Sequence, residues 1–205
     1  MTQGQARALA TLTDRYCATE PTFQDSLPGA GPLGLEIGFG MGQALVDWCQ
    51  SCPDWRMVGI EVYQPGIGAA LLRADTAGVS NLTVLDGDAA RIIAESIGTP
   101  WIDELRIFFP DPWPKKRHAK RRLLQPAFIA DASARLKPGG LLRVATDWQP
   151  YAEWIHEVLA GEQRLTNLGG ADGFAPRFAE RGTTNFEARG RRLGHEVWDF
   201  LYQRR

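Results

Sequence analysis

Residues 33–61 read LGLEIGFGMGQALVDWCQSCPDWRMVGIE, and their pattern decides the fold. The run from Leu33 to Phe39 is apolar and short, as a buried strand is. Three glycines follow within five residues, Gly38, Gly40 and Gly42, and then a helix-length segment from Gln43 to Cys52. Trp55 to Val62 is a second apolar run. Strand, glycine turn, helix, strand is the first unit of a parallel sheet.

The alternation continues outward from this stretch. Gly66 to Ala77 has helix character, Leu82 to Leu85 is a short strand, and a helix runs on to about Ile97. Glu104 to Phe109 is a fourth strand. Leu123 to Leu136 is a helix that Pro138-Gly139-Gly140 should stop. Leu141 to Thr146 is a fifth strand, Tyr151 to Leu159 a further helix, and two late strands fall near Leu165 and at Glu196 to Tyr202. The pattern predicts an α/β fold: a doubly wound, mostly parallel seven-stranded sheet with helices on both faces. Residues 31–205 are expected to form one domain, preceded by a weakly structured N-terminal arm over residues 1–30. Residues 169–192, rich in Gly and Arg, read as a functional or mobile loop.

Composition narrows the setting. The chain has 205 residues, 44% hydrophobic and 23% charged, as an ordinary globular protein has. No apolar run approaches the roughly 20 residues of a membrane span. The start, MTQGQARALA, lacks a secretion pattern. The expectation is a cytoplasmic protein, monomer or homodimer, with no membrane partner. Cys49 and Cys52 form a C-x-x-C, but no second pair or His cluster accompanies them, so no metal is expected and the pair reads as two incidental helical thiols.

A glycine loop between a strand and a helix lets backbone approach a ligand closely, at the carboxyl ends of the strands. Glu61 ends the second strand about 20 residues beyond the loop, where a carboxylate can accept both ribose hydroxyls of a nucleotide-like ligand. A nicotinamide dinucleotide would fit this too. Its fingerprint is G-x-G-x-x-G, however, and here the run is Gly38-Phe39-Gly40-Met41-Gly42. Glu36, inside the strand, would repel a pyrophosphate. Glu36, Glu61 and Asp88 together favour a cationic ligand without phosphate, S-adenosyl-L-methionine. Asp88 is placed to meet an adenine edge; the alternative is a helix N-cap.

The fourth strand runs into Phe109-Pro110-Asp111-Pro112-Trp113-Pro114, where three prolines stiffen the backbone. Trp113 can stack on a purine, and Asp111 can accept hydrogen bonds from guanine and offset charge that develops when a ring nitrogen is alkylated. The alternative is a stiff turn with Trp113 in the core. Lys115 to Arg122 holds six Lys or Arg in eight residues in a chain of net charge −1, a segregation that suits a phosphate-rich partner. Asp147 closes the fifth strand on the same rim. Thr183 to Gly190 offers hydroxyl, amide and carboxylate groups. His195 and Asp199 read as structural.

These motifs together, LEIGFGMG, GIEVYQPGI, FPDPW with KKRHAKRR, LKPGG followed by ATD, and TNFEARG with RRLGHEVWD, resemble the bacterial tRNA (guanine-N7)-methyltransferase family over roughly residues 33–204. The resemblance implies methyl transfer from S-adenosyl-L-methionine to N7 of a guanine in the tRNA variable loop, guanine-46. It implies cofactor positions at Glu36, Gly38, Gly40, Glu61, Asp88 and Asp111, with Asp111 also the catalytic aspartate. It implies substrate positions at Lys115, Asp147, Thr184, Asn185, Phe186 and Glu187. Arg117, His118, Lys120, Arg121 and Arg122 match the RNA-contacting segment. Asn185 stands where the family usually has Lys, and the segment before Leu33 is shorter than in many members. The competing readings are a methyltransferase for an exocyclic amine, a binding module that kept the fold and lost catalysis, and a nicotinamide oxidoreductase.

Overall fold

The computed structural model describes residues 1–19, 23–24, 27–98, 100–178 and 196–205. They fall into two compact units, Met1–Ile97 and Gly98–Arg205. No helix among the described residues is long and apolar enough to cross a membrane.

The first unit carries three parallel strands in the order β3-β2-β1: β1 (Leu33–Ile37), β2 (Arg56–Glu61) and β3 (Leu82–Asp86). All five residues of β1 are buried, which explains why its sequence is apolar on both faces, broken only by Glu36, rather than an alternation. Helices α2 (Gln43–Ser51) and α3 (Gln64–Ala77) connect the strands. Leu45, Trp48, Met57, Ile67, Leu71 and Val84 form the core between them. Cys49 is buried in α2 and Cys52 caps its end.

Residues 3–16, expected to be part of a weakly structured arm, form a 14-residue helix, α1 (Gln3–Tyr16). Its start is fixed by a reciprocal capping box: Thr2 Oγ1 accepts from the Gln5 amide at 3.3 Å, and the Thr2 amide donates to Gln5 Oε1 at 2.7 Å. The T-x-x-Q signal for this start stands in the sequence. The helix lies on α3 at close range. A Cβ added to Gly68 would sit 2.5 Å from the Gln5 carbonyl oxygen, so only glycine permits this approach. Beyond α1, Ala18 donates to the Val84 carbonyl, extending β3 by one bridge at its outer edge.

The second unit has the strand order β4-β5-β7-β6, from β4 (Ile102–Phe108), β5 (Leu136–Thr146), β6 (Leu165–Asn167) and β7 (Trp198–Arg204). The β4–β5 pair is parallel, and β7 runs antiparallel to both β5 and β6. With the first unit this makes the seven strands expected, mostly parallel. Two boundaries differ from expectation. Helix α5 starts at Pro126 (Pro126–Arg135) rather than at Leu123, because proline suits the first helical position and disfavours helix before it. Strand β5 starts at Leu136, upstream of Pro138-Gly139-Gly140, and the extra residues are absorbed as a register shift between Ile102↔Leu136 and Glu104↔Leu141. Helix α6 (Gln149–Ala160) follows β5.

Candidate active site

The first unit places a glycine loop, the candidate ligand cradle, at the carboxyl ends of β1 and β2. Gly38, Gly40 and Gly42 all have left-handed backbones, with φ of 70°, 55° and 76°. The reasons differ. A Cβ on Gly42 would lie 2.4 Å from the Cβ of Ala70, so this glycine lets α2 start against α3. A Cβ on Gly38 or Gly40 would meet nothing within 4 Å, so these two present bare backbone to open space. That is what a close-fitting ligand requires.

Glu61 ties this loop to β2. Its Oε2 accepts from the Gly40 amide at 2.8 Å, and its Oε1 accepts from the Val62 and Tyr63 amides at 2.8 and 3.1 Å. A carboxylate offers about four acceptor sites, and three are taken. Glu61 thus holds the loop through both of its oxygens. Glu36 is 3% exposed, within β1 and opposite Gly59 of β2. Burial pushes the Cys49 thiol up to about 12, and the charge of Glu36 adds to the effect. Asp88 is exposed and caps α4 (Ala89–Arg91), its Oδ1 accepting from the Arg91 amide at 3.1 Å. The cap bond uses Oδ1 and leaves Oδ2 beyond it. Gln64, not foreseen, donates from Nε2 to Asp86 Oδ2 across the ends of α3 and β3. Arg73 Nε donates to the Met41 carbonyl within the loop at 3.2 Å; the carboxylates of Glu36, Glu61 and Asp88 beside bare glycine backbone fit a cationic ligand better than a pyrophosphate.

The second unit presents Asp111 on a strained turn. Phe109 (φ 51°) and Trp113 (φ 44°) are the only non-glycine residues with positive φ among those described. Such backbones cost on the order of 1–3 kcal/mol each and persist only where the surroundings hold them. Phe109 is held by its amide donating to the Ala145 carbonyl at 2.8 Å. Asp111 is exposed. Asp147 is half-buried and follows β5, so it shares with Asp111 the carboxyl edge of the parallel β4–β5 pair.

The basic run forms a short 3₁₀ helix, Lys116–Arg121, with Lys115 as its cap. Lys115, Lys116, Arg117, Lys120 and Arg121 are exposed. The Trp113 ring is engaged by this helix: His118 meets it edge-on at 5.8 Å and the Arg121 guanidinium lies over it at 5.0 Å. Arg122 differs from its neighbours. It is half-buried, its Nε donates to the Pro112 carbonyl at 2.9 Å, and its guanidinium lies over Tyr151 and Trp154. Thr184, Asn185, Phe186, Glu187 and His195 lie outside the described residues. Among the described residues no group of three or more His, Cys, Asp or Glu could hold a metal ion.

A further set of charges was not foreseen, since charged residues in mid-strand break the apolar pattern. Glu104 Oε1 lies 2.6 Å from Arg106 Nε and 2.9 Å from Arg143 Nε, all in β4 and β5, with Glu104 and Arg106 almost fully buried. The Arg143 contact is an ion pair rather than an aligned hydrogen bond.

Comparison with known proteins agrees with this geometry. A family model described as "Putative methyltransferase" matches residues 30–200. Among solved structures, the 16S rRNA methyltransferase KamB superposes with a TM-score of 0.62 at 17% identity, covering 91% of this chain and 94% of that one. The aminoglycoside resistance methyltransferase NpmB1 superposes with a TM-score of 0.60 at 14% identity over 91% of this chain and 94% of that one. The fold is that of the class I methyltransferases. The tRNA (guanine-N(7)-)-methyltransferase of Acidovorax sp. (strain JS42) is 46% identical over 208 residues, 100% of this chain and 82% of the relative. The enzyme of that name from Halorhodospira halophila (strain DSM 244 / SL1) is 44% identical over 210 residues, 100% and 91%. The chain belongs to the tRNA (guanine-N(7)-)-methyltransferase family.

Proposed function

We propose that the protein methylates N7 of guanine-46 in the variable loop of tRNA, using S-adenosyl-L-methionine, and acts in the cytoplasm. The observation that carries this reading is the exposed carboxylate of Asp111 on a strained, proline-stiffened turn that leads directly into a short helix of exposed cations.

Glu36, Gly38, Gly40, Glu61 and Asp88 would hold the cofactor. When bound, it supplies an electrophilic methyl group on a sulfonium. Guanine N7 has a free lone pair at neutral pH, so the acceptor needs no strong base. Asp111 accepts hydrogen bonds from the guanine edge and offsets the positive charge that the base acquires. Rigidity of the turn fixes the direction of attack, and alignment supplies most of the rate. Arg117, His118, Lys120 and Arg121 meet RNA phosphates, and Lys115 contacts the substrate. Asp147 and the residues Thr184, Asn185, Phe186 and Glu187 contact the substrate.

Incubating the protein with labelled cofactor and unmodified tRNA, then identifying the modified nucleoside, tests the reading. Label in 7-methylguanosine at position 46, lost on guanine-46→adenine substitution, is the expected result. Label in an exocyclic methylamine instead, or saturable cofactor binding with no transfer, would overturn it.

A further inference from the structure

The turn that carries Asp111 needs something to hold it. Phe109 enters it and Trp113 leaves it with left-handed backbones, and the prolines at 110, 112 and 114 have no N–H with which to anchor it. On the entry side, the Phe109 amide bonds to β5. On the exit side, the contact comes from the Arg122 Nε–H, which donates to the Pro112 carbonyl at 2.9 Å. That carbonyl belongs to the peptide unit between Pro112 and Trp113, one residue from Asp111.

Arg122 is itself held. Its guanidinium lies 5.0 Å from the Tyr151 ring and 5.8 Å from the Trp154 ring. Tyr151 is fully buried, and its hydroxyl accepts from the Leu124 amide at 3.5 Å. Trp154 Nε1 donates to the Leu124 carbonyl at 2.8 Å. Both rings stand on α6, so the helix after β5 fixes the arginine and the arginine fixes the turn. A planar guanidinium can stack on a ring and donate in a set direction at once, and an ammonium cannot.

We infer that Arg122, although it closes the basic run, is a positioning residue for the Asp111 turn rather than a contact to RNA phosphate. The inference rests on the reading that Asp111 addresses the guanine. Four variants test it on the full chain with tRNA: Arg122→Lys, Arg122→Ala, Trp154→Leu and, as the comparison, Lys120→Ala. Arg122→Lys keeps the charge and loses the fork. Its kcat should fall roughly 10- to 100-fold, the scale of a small misplacement, with KM for tRNA within about twofold of wild type. Trp154→Leu, which leaves the arginine in place, should lower kcat in the same direction. The salt dependence of tRNA binding should lose about one unit of slope in Lys120→Ala and none in Arg122→Ala. Wild-type kcat in both Arg122→Lys and Trp154→Leu would overturn the inference, as would a slope reduced by about one in Arg122→Ala. Should the wild-type protein make no 7-methylguanosine, the functional reading fails. The salt slopes, measured without cofactor, still decide whether Arg122 meets phosphate.

Discussion

The Gly40 amide donates to Glu61 Oε2 over 2.8 Å, so the residue expected to receive the ligand also shapes the loop that surrounds it. Glu61→Gln keeps the size and removes one acceptor and the charge. Hydrogen bonds to charged groups are worth about 1.5–3 kcal/mol, so cofactor affinity should fall roughly 10- to 100-fold. Calorimetric titration checks this. Unchanged affinity would mean that the loop holds its form without Glu61.

The glycines should separate into two kinds. Gly42→Ala places a methyl 2.4 Å from the Cβ of Ala70 in a left-handed backbone. Overpacking and the unfavourable φ together should cost about 2–4 kcal/mol of stability. Gly40→Ala meets no protein atom and should cost only about 1–2 kcal/mol, but its methyl enters the space proposed for the cofactor. Denaturant titration with and without cofactor distinguishes them: Gly42→Ala loses stability, while Gly40→Ala loses mainly the stabilisation that cofactor confers.

Glu104 is the carboxylate that Arg106 and Arg143 share inside the second unit. Glu104→Gln removes the negative charge from a buried group that keeps both arginines. Breaking a buried pair in this way costs about 3–5 kcal/mol. The denaturation midpoint should drop accordingly, and added salt should change the loss little, because buried pairs are poorly screened. A loss under about 1 kcal/mol would show that water reaches the site in solution.

Two buried groups set a pH limit. Burial pushes the Cys49 thiol from an ordinary 9.0, and the Tyr151 hydroxyl from 10.0, up to about 12. Both folded-state values lie above the unfolded ones. Their contribution is therefore fully present below pH about 9 and is lost as pH rises through the folded values, because the unfolded chain ionises first. Thermal midpoints should be level between pH 7 and 9 and fall from pH 9 to 11. Cys49→Ala should flatten the early part of that fall. In the native protein a thiol reagent should modify half-exposed Cys52 well before buried Cys49.

Local patterns were enough for much of this protein. The buried run of β1, the glycine turn and the strand ending in Glu61 are each readable from neighbours in the chain, because strand burial and glycine conformation are short-range properties. The proline-stiffened turn at Asp111 and the basic run after it were legible for the same reason. Boundaries failed where one local signal competed with another. The capping box of Thr2 and Gln5 opens a helix in a polar segment, Pro126 starts α5 late, and β5 continues past Pro138-Gly139-Gly140 by a register shift where a stop was expected.

What each polar side chain touches was decided only in three dimensions. Glu61 meets Gly40 across 21 residues, Glu104 meets Arg143 through strand register, and Arg122 leaves its basic neighbours for rings on α6 some 30 residues away. The family resemblance matches Arg122 to the RNA-contacting segment; folding alone brings to it a carbonyl acceptor and two aromatic faces. Charge can be counted along a chain, but the partner that determines its use is chosen by packing.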